Sequence, residues 1–281
     1  MSRSKKPVIA FVYDFDGTLS PGNMQEHSFL PSVGISPKPF WDEVKKLARD
    51  SDGDEILIYL KQMIDAARAA KKPISKASFK EHGKKVALFD GVEEWFSRIN
   101  KLALDRGLRA EHYIISSGVR EILEGTSIAK SFKRIFASSY YYDANGVAEW
   151  PALAINYTNK TQFLFRINKG TLDVWDHSHI NKFVERSERH VPFDRIVFFG
   201  DGETDIPCMR LVTEQGGYAV AIYPPNKRNA KKKVQSLIQE QRARFIAKAD
   251  YSENGQLNRI AKTILDDVAA RLAISRLAES P

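Results

Sequence analysis

Residues 8–19 read VIAFVYDFDGTL. The apolar and aromatic run Val8–Tyr13 leads without a break into Asp14, Phe15, Asp16, Gly17 and Thr18. Such a run is too short to span a bilayer and too continuous for a half-exposed strand. It predicts a strand buried on both faces, as in a parallel sheet covered by helices. Asp14 and Asp16 then fall at the carboxyl end of the strand, the edge at which open α/β sheets bind ligands. Gly17 allows a sharp turn there. Two carboxylates two residues apart can divide a reaction, one as nucleophile or metal ligand and the other as acid and base. The competing reading, a plain Asp-Gly turn with no chemistry, is weighed against what the rest of the chain carries.

Beyond Leu19 the chain turns through Ser20-Pro21-Gly22-Asn23 and a proline-rich stretch from Pro31 to Pro39. Helical patterns follow over Phe40–Arg49, Asp54–Ala70 and Lys76–Ala87. Asp54 is placed to cap the second of these, ahead of an apolar stripe of Ile56, Leu57, Leu60, Met63 and Ile64. No strand pattern interrupts this region, which reads as an all-helical insertion. Gly91–Asp105 predicts an amphipathic helix stopped by Gly107. Strands are expected at His112–Ile115 and Arg134–Ala137, with a helix over Val119–Leu123 between them. The alternation favours parallel pairing through right-handed crossovers. Asn145-Gly146 between Tyr140–Tyr142 and Val147–Ile155 signals a hairpin. Thr158 is placed to cap a helix from Lys160 to Asn168–Gly170. Asp173–Arg189 carries no clear period. Arg195–Phe199 is a buried strand ending in Gly200-Asp201-Gly202-Glu203-Thr204-Asp205; Tyr218–Ile222 and Phe245–Asp250 continue the sheet, and Leu257–Leu272 closes as a helix.

The chain of 281 residues, 43% hydrophobic and 28% charged, has the composition of a soluble globular protein. One cysteine, Cys208, excludes an intramolecular disulfide and fits a reducing compartment. The short N-terminal apolar run ends in aspartates, unlike a secretory signal. A cytoplasmic protein without membrane association is therefore expected. The net charge of +8 is concentrated at Lys227, Arg228, Lys231, Lys232, Lys233, Arg242, Arg244 and Lys248. Those residues could attract an anionic partner, but no aromatics interleave with them as in a base-stacking surface. The expectation is the solvated face of a helix, with nucleic acid not a partner.

Three predicted strands end in polar clusters: Asp14 with Asp16, Ser116 with Ser117, and Asp201 with Asp205. In a parallel sheet these ends open on one edge and can converge. Uncompensated carboxylates repel at close range; a divalent cation resolves this, and an oxygen-only donor set suits Mg²⁺. Lys160 at a helix start adds positive charge where anions are already favoured. Carboxylates, a hard cation, a lysine, a hydroxyl and backbone amides are the parts phosphoryl transfer requires.

With DFDGTL at 14–19, a hydrophobic strand ending in Ser116, a lysine before a helix, and GDGETD at 200–205, the chain resembles the haloacid dehalogenase superfamily. Within it, the likeness is to the aspartate-nucleophile phosphatases, most of all the phosphoserine phosphatase branch. The resemblance implies a doubly wound α/β core formed by 1–20 and 90–281, with a helical cap domain over 21–89 inserted after the first strand. It implies that Asp14 attacks phosphorus, that Asp16 protonates the leaving oxygen and later activates water, and that Ser116 binds the phosphoryl group beside Ser117 and Gly118. It implies that Lys160 neutralises charge, with Lys169 as the competing candidate. Asp201, Asp14 and the main-chain carbonyl of Asp16 would hold Mg²⁺, with Asp205 supporting them. An acid at position 16 distinguishes phosphatases from the true dehalogenases, which lack it. The implied activity is hydrolysis of a small phosphorylated metabolite; a phosphotransferase and a non-catalytic anion-binding protein on the same fold stay open as alternatives.

Glu26 and His27 follow the first motif at the mouth of the insertion and are candidates for reading the leaving group. His177 and His179 form an H-x-H pair without a nearby third ligand, and are expected to be a surface feature. Cys208 is expected to serve packing.

Overall fold

The computed structural model describes residues 6–225 and 230–279. Strand β1 (Val8–Tyr13) leads into the five helices of the insertion: α1 (Met24–His27), α2 (Phe29–Ser32), α3 (Pro37–Asp50), α4 (Glu55–Ala69) and α5 (Lys76–Gly83). Then come α6 (Val92–Leu104), β2 (Arg109–Val119), α7 (Arg120–Gly125), β3 (Arg134–Tyr142), β4 (Ala148–Leu153), α8 (Lys160–Lys169) and α9 (His177–Ile180). The chain closes with β5 (Ile196–Gly200), α10 (Ile206–Glu214), β6 (Tyr218–Tyr223), α11 (Ala230–Gln239), β7 (Phe245–Lys248) and α12 (Gln256–Glu279).

The strands form one sheet in the order β4-β3-β2-β1-β5-β6-β7. All neighbours are parallel except β3 and β4. β1 is buried along its whole length, and its alternate side chains feed two separate cores. Ile9, Phe11 and Tyr13 join the cluster under α6, α12 and the helical insertion. Val8, Ala10 and Val12 join the cluster under α8, α10 and α11. The doubly wound α/β sheet with a helical cap inserted after its first strand is therefore the observed fold.

Several boundaries differ from the sequence reading, each for a local reason. The segments expected as a third strand and as the first arm of the hairpin are one strand, β3, parallel to β2 at its start and antiparallel to β4 at its end. β2 runs on past Ile115, and its register with β3 shifts between Ser116 and Val119. Leu57, assigned to the buried stripe of α4, is 41% exposed, whereas Leu60, Met63 and Ile64 are buried. Asp54 does cap α4, accepting from the amides of Ile56 at 2.8 Å and Leu57 at 3.0 Å. Thr158 does not cap α8; Asn159 precedes that helix, and the Asn156 side-chain oxygen Oδ1 gathers the amides of Thr158 and Asn159. The aperiodic 173–189 stretch is held instead by Arg166, which donates to the carbonyls of Asp173 and Val174.

Of the basic segment, Lys227 and Arg228 lie outside the described residues. Lys231 and Lys232 are exposed on α11, while Val234 and Leu237 of the same helix are buried in the sheet's second core, the arrangement of an amphipathic helix. No helix among the described residues is long and apolar enough to cross a membrane.

The cap is fastened to the core along one seam. A Cβ on Gly83 of α5 would lie 2.0 Å from the Ile122 carbonyl oxygen, and one on Gly125 of α7 would lie 2.0 Å from the Lys80 carbonyl oxygen. Backbone therefore meets backbone where the helices cross. Beside the seam, the Ala148 amide donates to the Ile74 carbonyl at 2.8 Å, and the Tyr140 hydroxyl donates to the Leu60 carbonyl at 3.0 Å.

Gly125→Ala is expected to destabilise the protein by about 2 kcal/mol through overpacking at this crossing. Alanine is otherwise the better helix former by about 1 kcal/mol, so a urea midpoint at or above wild type would refute the tight crossing. A second test concerns His112, buried beneath the sheet with its Nδ1 facing the Tyr13 hydroxyl at 3.1 Å and its Nε2 facing Asn100 at 3.2 Å. Burial pushes its imidazole down from 6.5 to about 3. Across that window the unfolded chain binds a proton that the folded chain refuses. This contribution is complete above the unfolded value and is lost as pH falls, at up to about 1.4 kcal/mol per pH unit. Urea unfolding from pH 4.5 to 6.5 should show a shallower pH slope for His112→Gln than for wild type; identical slopes would rule this out.

Candidate active site

β1, β2 and β5 are adjacent in the sheet, so the segments leaving their carboxyl ends meet. The 14–20 loop closes on itself: the Leu19 amide donates to the Phe15 carbonyl at 2.9 Å and the Gly17 amide to the Ser20 carbonyl at 2.7 Å. Gly17 has φ of +81°, and a Cβ there would stand 2.0 Å from Asp201 Oδ2. Only glycine both adopts this backbone and leaves room for Asp201 against the turn.

Lys160, the first residue of α8, is 1% exposed and donates at 2.6 Å to both Asp14 Oδ1 and Asp205 Oδ1. Burial works against its charge, but Asp14 and then Asp205 outweigh burial and hold its pKa above the ordinary lysine value. Lys169, the competing candidate, donates instead to the carbonyls of Ile180 and Lys182, so Lys160 is the lysine the structure brings to Asp14. Asp205 Oδ2 also accepts from the amides of Asp201 at 3.1 Å and Gly202 at 3.4 Å. Asp205 is thus saturated by protein donors.

Carboxylate oxygens of Asp14, Asp201 and Asp205 lie within 4.8 Å of one another. Burial, against the opposing Lys160, pushes Asp14 up to about 6. Burial and then the Asp14 charge push Asp201 up to about 8. Asp16 is held well above the carboxylate range, first by burial and then by Asp14; one of its oxygens accepts from the Met24 amide at 2.8 Å. More negative charge is collected here than Lys160 balances. Since Asp205 is engaged by Lys160 and two amides, Asp14 and Asp201 offer the free oxygens that fit a hard cation such as Mg²⁺.

On β2, Ser116 is buried, and its Oγ accepts from the Gly118 amide at 3.0 Å. The register shift at Ser116–Val119 is what turns Ser117 and Gly118 toward Asp16. These three residues line a cavity of about 340 Å³, closed on the cap side by Asn23, Gln25, Trp41, Lys45, Ile56 and Tyr59. The Tyr59 hydroxyl donates to the Ser117 carbonyl at 2.5 Å, tying α4 to the end of β2.

The other candidates fall at varied distances from this cavity. Glu26 does not line it but accepts at 2.7 Å from both Asn23 Nδ2 and the Trp41 indole nitrogen, so it orients two residues that do. His27 is turned to the chain outside: Nε2 meets the Pro21 carbonyl at 2.8 Å, and Nδ1 accepts from the Ala87 amide at 3.3 Å. It pins the two loop segments, at Pro21 and Ala87, that join the helical insertion to the sheet. His179 pairs with Asp176 at 2.8 Å on the exposed turn at α9, away from the carboxylates. Cys208 is buried in the second core with its thiol pushed up by burial. Trp41, Lys45 and Tyr59 belong to no chemical motif; they sit on helices that the sequence marks only by amphipathic spacing and, for α4, by the Asp54 cap.

Residues 11–210 match the haloacid dehalogenase-like hydrolases. An uncharacterized protein of Borreliella burgdorferi is 28% identical over 280 residues, 90% of this chain and 95% of its own. Among solved structures, a phosphoserine phosphatase bearing a phospho-aspartyl intermediate analogue is similar in fold at a TM-score of 0.54 and 16% identity, over 92% of this chain and 99% of that one. A haloacid dehalogenase family hydrolase from Salmonella enterica serovar Typhi is similar at 0.53 and 16% identity, over 82% of this chain; the match spans 66% of that protein's length.

The crowded carboxylates predict a metal response. Mg²⁺ at about 100 times its dissociation constant should add about 2.7 kcal/mol of stability, visible as a rise in Tm. In Asp201→Asn the rise should be lost, while the metal-free variant unfolds no lower than wild type because one repulsion is gone. An equal Mg²⁺ shift in both proteins would rule out Asp201 as a ligand.

Proposed function

The chain belongs to the haloacid dehalogenase-like hydrolase family, and from that premise we propose a Mg²⁺-dependent phosphatase that releases phosphate from a small phosphomonoester through an aspartyl-phosphate on Asp14. The observation that carries this reading is the buried Asp14–Lys160–Asp205 bridge with Asp201 beside it, two residues along the chain from Asp16, which lines the cavity under the helical insertion. The phosphoserine phosphatase fold likeness supports it.

In this reading the phosphoryl group sits between Asp14, Ser116 and Lys160. Ser116 Oγ and the Ser117 amide donate to its oxygens beside Gly118, whose amide holds Ser116 Oγ in place, and the Lys160 ammonium balances the charge that develops on them. An Asp14 carboxylate oxygen forms a bond to phosphorus as the bond from phosphorus to the alcohol oxygen breaks. Asp16, whose carboxyl burial keeps protonated to unusually high pH, gives its proton to that departing oxygen. Once the alcohol has left, Asp16 takes a proton from water, the water oxygen bonds to phosphorus, and the bond to Asp14 breaks to yield phosphate. Mg²⁺, held by Asp14, Asp201 and the Asp16 main-chain carbonyl, would neutralise phosphoryl charge when bound. The segment 21–89 serves as the cap that shields these steps from bulk water, over a core formed by 1–20 and 90–281.

Phosphate release from p-nitrophenyl phosphate and a metabolite panel, with and without Mg²⁺, tests the reading. Asp14→Asn should lower kcat by on the order of 10³-fold or more, and Asp16→Asn by about 10²- to 10⁴-fold. Release that survives in Asp14→Asn would refute the nucleophile. Transfer to an added alcohol in preference to water would make the protein a phosphotransferase.

A further inference from the structure

Tyr59 of α4 is 3% exposed, and its ring packs edge to face against Trp41 at 67° with centroids 5.6 Å apart. A phenylalanine would fill that place equally well, so packing accounts for the ring and not for the hydroxyl. A buried hydroxyl needs a partner, and this one reaches out of the insertion to the sheet, donating to the Ser117 carbonyl at 2.5 Å. The helix that carries it is held at the next residue, where the Leu60 carbonyl accepts from the Tyr140 hydroxyl of β3 at 3.0 Å. Just before its first turn, Asp54 accepts from Asn156. Tyr59 therefore reaches β2 from a fixed base.

At the place it reaches, the sheet gives little support. Ser117 and Gly118 fall in the register shift of β2, and neither is paired across to β1 or β3. The Ser117 carbonyl and the Gly118 N–H belong to one peptide group. No peptide bond among the described residues is cis, so these two groups point in opposite directions. Tyr59 takes the carbonyl end, and the N–H end donates to Ser116 Oγ at 3.0 Å. One rigid plane thus runs from the phenol to the serine hydroxyl. Because Oγ accepts that bond, the Ser116 proton is directed elsewhere, and no acceptor for it stands among the described residues.

We infer that Tyr59 is a positioning residue for the phosphoryl-binding end of β2: from the helical insertion it orients the Ser117–Gly118 peptide, which in turn sets where the Ser116 hydroxyl stands. This rests on the phosphatase reading above, in which Ser116 donates to the phosphoryl group, and adds a residue that acts through Ser116. A donor to developing charge works only where it is held in place. The phosphoryl subsite is then complete only when the insertion is seated on the sheet.

The test is a double-mutant cycle on the full-length protein with Mg²⁺, reading kcat/KM for p-nitrophenyl phosphate. Ser116→Ala should lower it by about 10²-fold, and Tyr59→Phe by about 10-fold. With Ser116 already replaced, Tyr59→Phe should cost less than about 2-fold, because the peptide has no hydroxyl left to position. A purely structural role, or direct contact of Tyr59 with the substrate, would give the same loss in both backgrounds and overturn the inference. Either single variant with wild-type activity overturns it too. The wild type supplies a measurement that needs no variant: the Gly118 amide, held on Ser116 Oγ, should exchange its proton on the order of 10²-fold more slowly than an open glycine amide. Exchange at the open rate overturns the inference even where a variant fails to fold. No turnover of p-nitrophenyl phosphate by the wild type overturns the phosphatase reading, and this inference with it, whereas turnover with additive losses overturns this inference alone.

Discussion

The Lys160 ammonium, buried between Asp14 and Asp205 at 2.6 Å from each, sets terms that the rest of the molecule must meet. Removing a charge from water is expensive, and breaking a buried pair by deleting one partner costs about 3–5 kcal/mol. The first turn of α8 must therefore stop where β1 ends and where the 200–205 loop begins. Even so, burial first and the charge of neighbouring carboxylates after it keep the carboxyls of Asp14, Asp16 and Asp201 protonated to higher pH than free aspartate, and the bridge does not offset this. Such an imbalance is poor design for a structural ion pair and good design for a site that receives a cation and a phosphate.

Parallel pairing converts distant sequence into one place. β2 and β5 flank β1, so Ser116, Asp14 and Asp201 are neighbours although 102 residues separate Asp14 from Ser116 and 85 separate Ser116 from Asp201. The second oxygen of Asp205 folds the 201–202 amides over itself, and Gly17 lets Asp201 press against the turn after β1. Each of these is a short-range device that only works once the sheet has aligned the strands.

The parts of this arrangement that a sequence can show are those fixed by local chemistry. VIAFVY reads as a two-face strand because every residue is apolar, and Asp-Phe-Asp-Gly reads as a site because carboxylates follow at the ligand edge. Asp54 is legible as a cap for the same local reason. What was not legible depends on which partner wins, most often one far along the chain and at Thr158 one two residues away. Leu57 has the spacing of a buried residue, but no element covers it. Thr158 has the chemistry of a cap, yet Asn156 takes the amides. The 140–142 and 134–137 segments look like two strands because the change from parallel to antiparallel partner leaves no mark in composition. Trp41, Lys45 and Tyr59 are ordinary helix residues until α3 and α4 are laid over β2.

The glycine crossing of α5 on α7 has a mechanical consequence. With α5 locked backbone to backbone against the core, and α4 tied through Tyr59 and Tyr140, the insertion is not a freely hinged lid. The lightly held element is α3, which rests mainly on α4 and carries Trp41 and Lys45. Whatever displacement opens the cavity falls to this one helix, and two of the side chains that line the cavity ride on it. Under the phosphatase reading proposed above, ligand fit and closure of the site become a single event, so a poorly fitting ester is penalised in turnover number rather than in affinity.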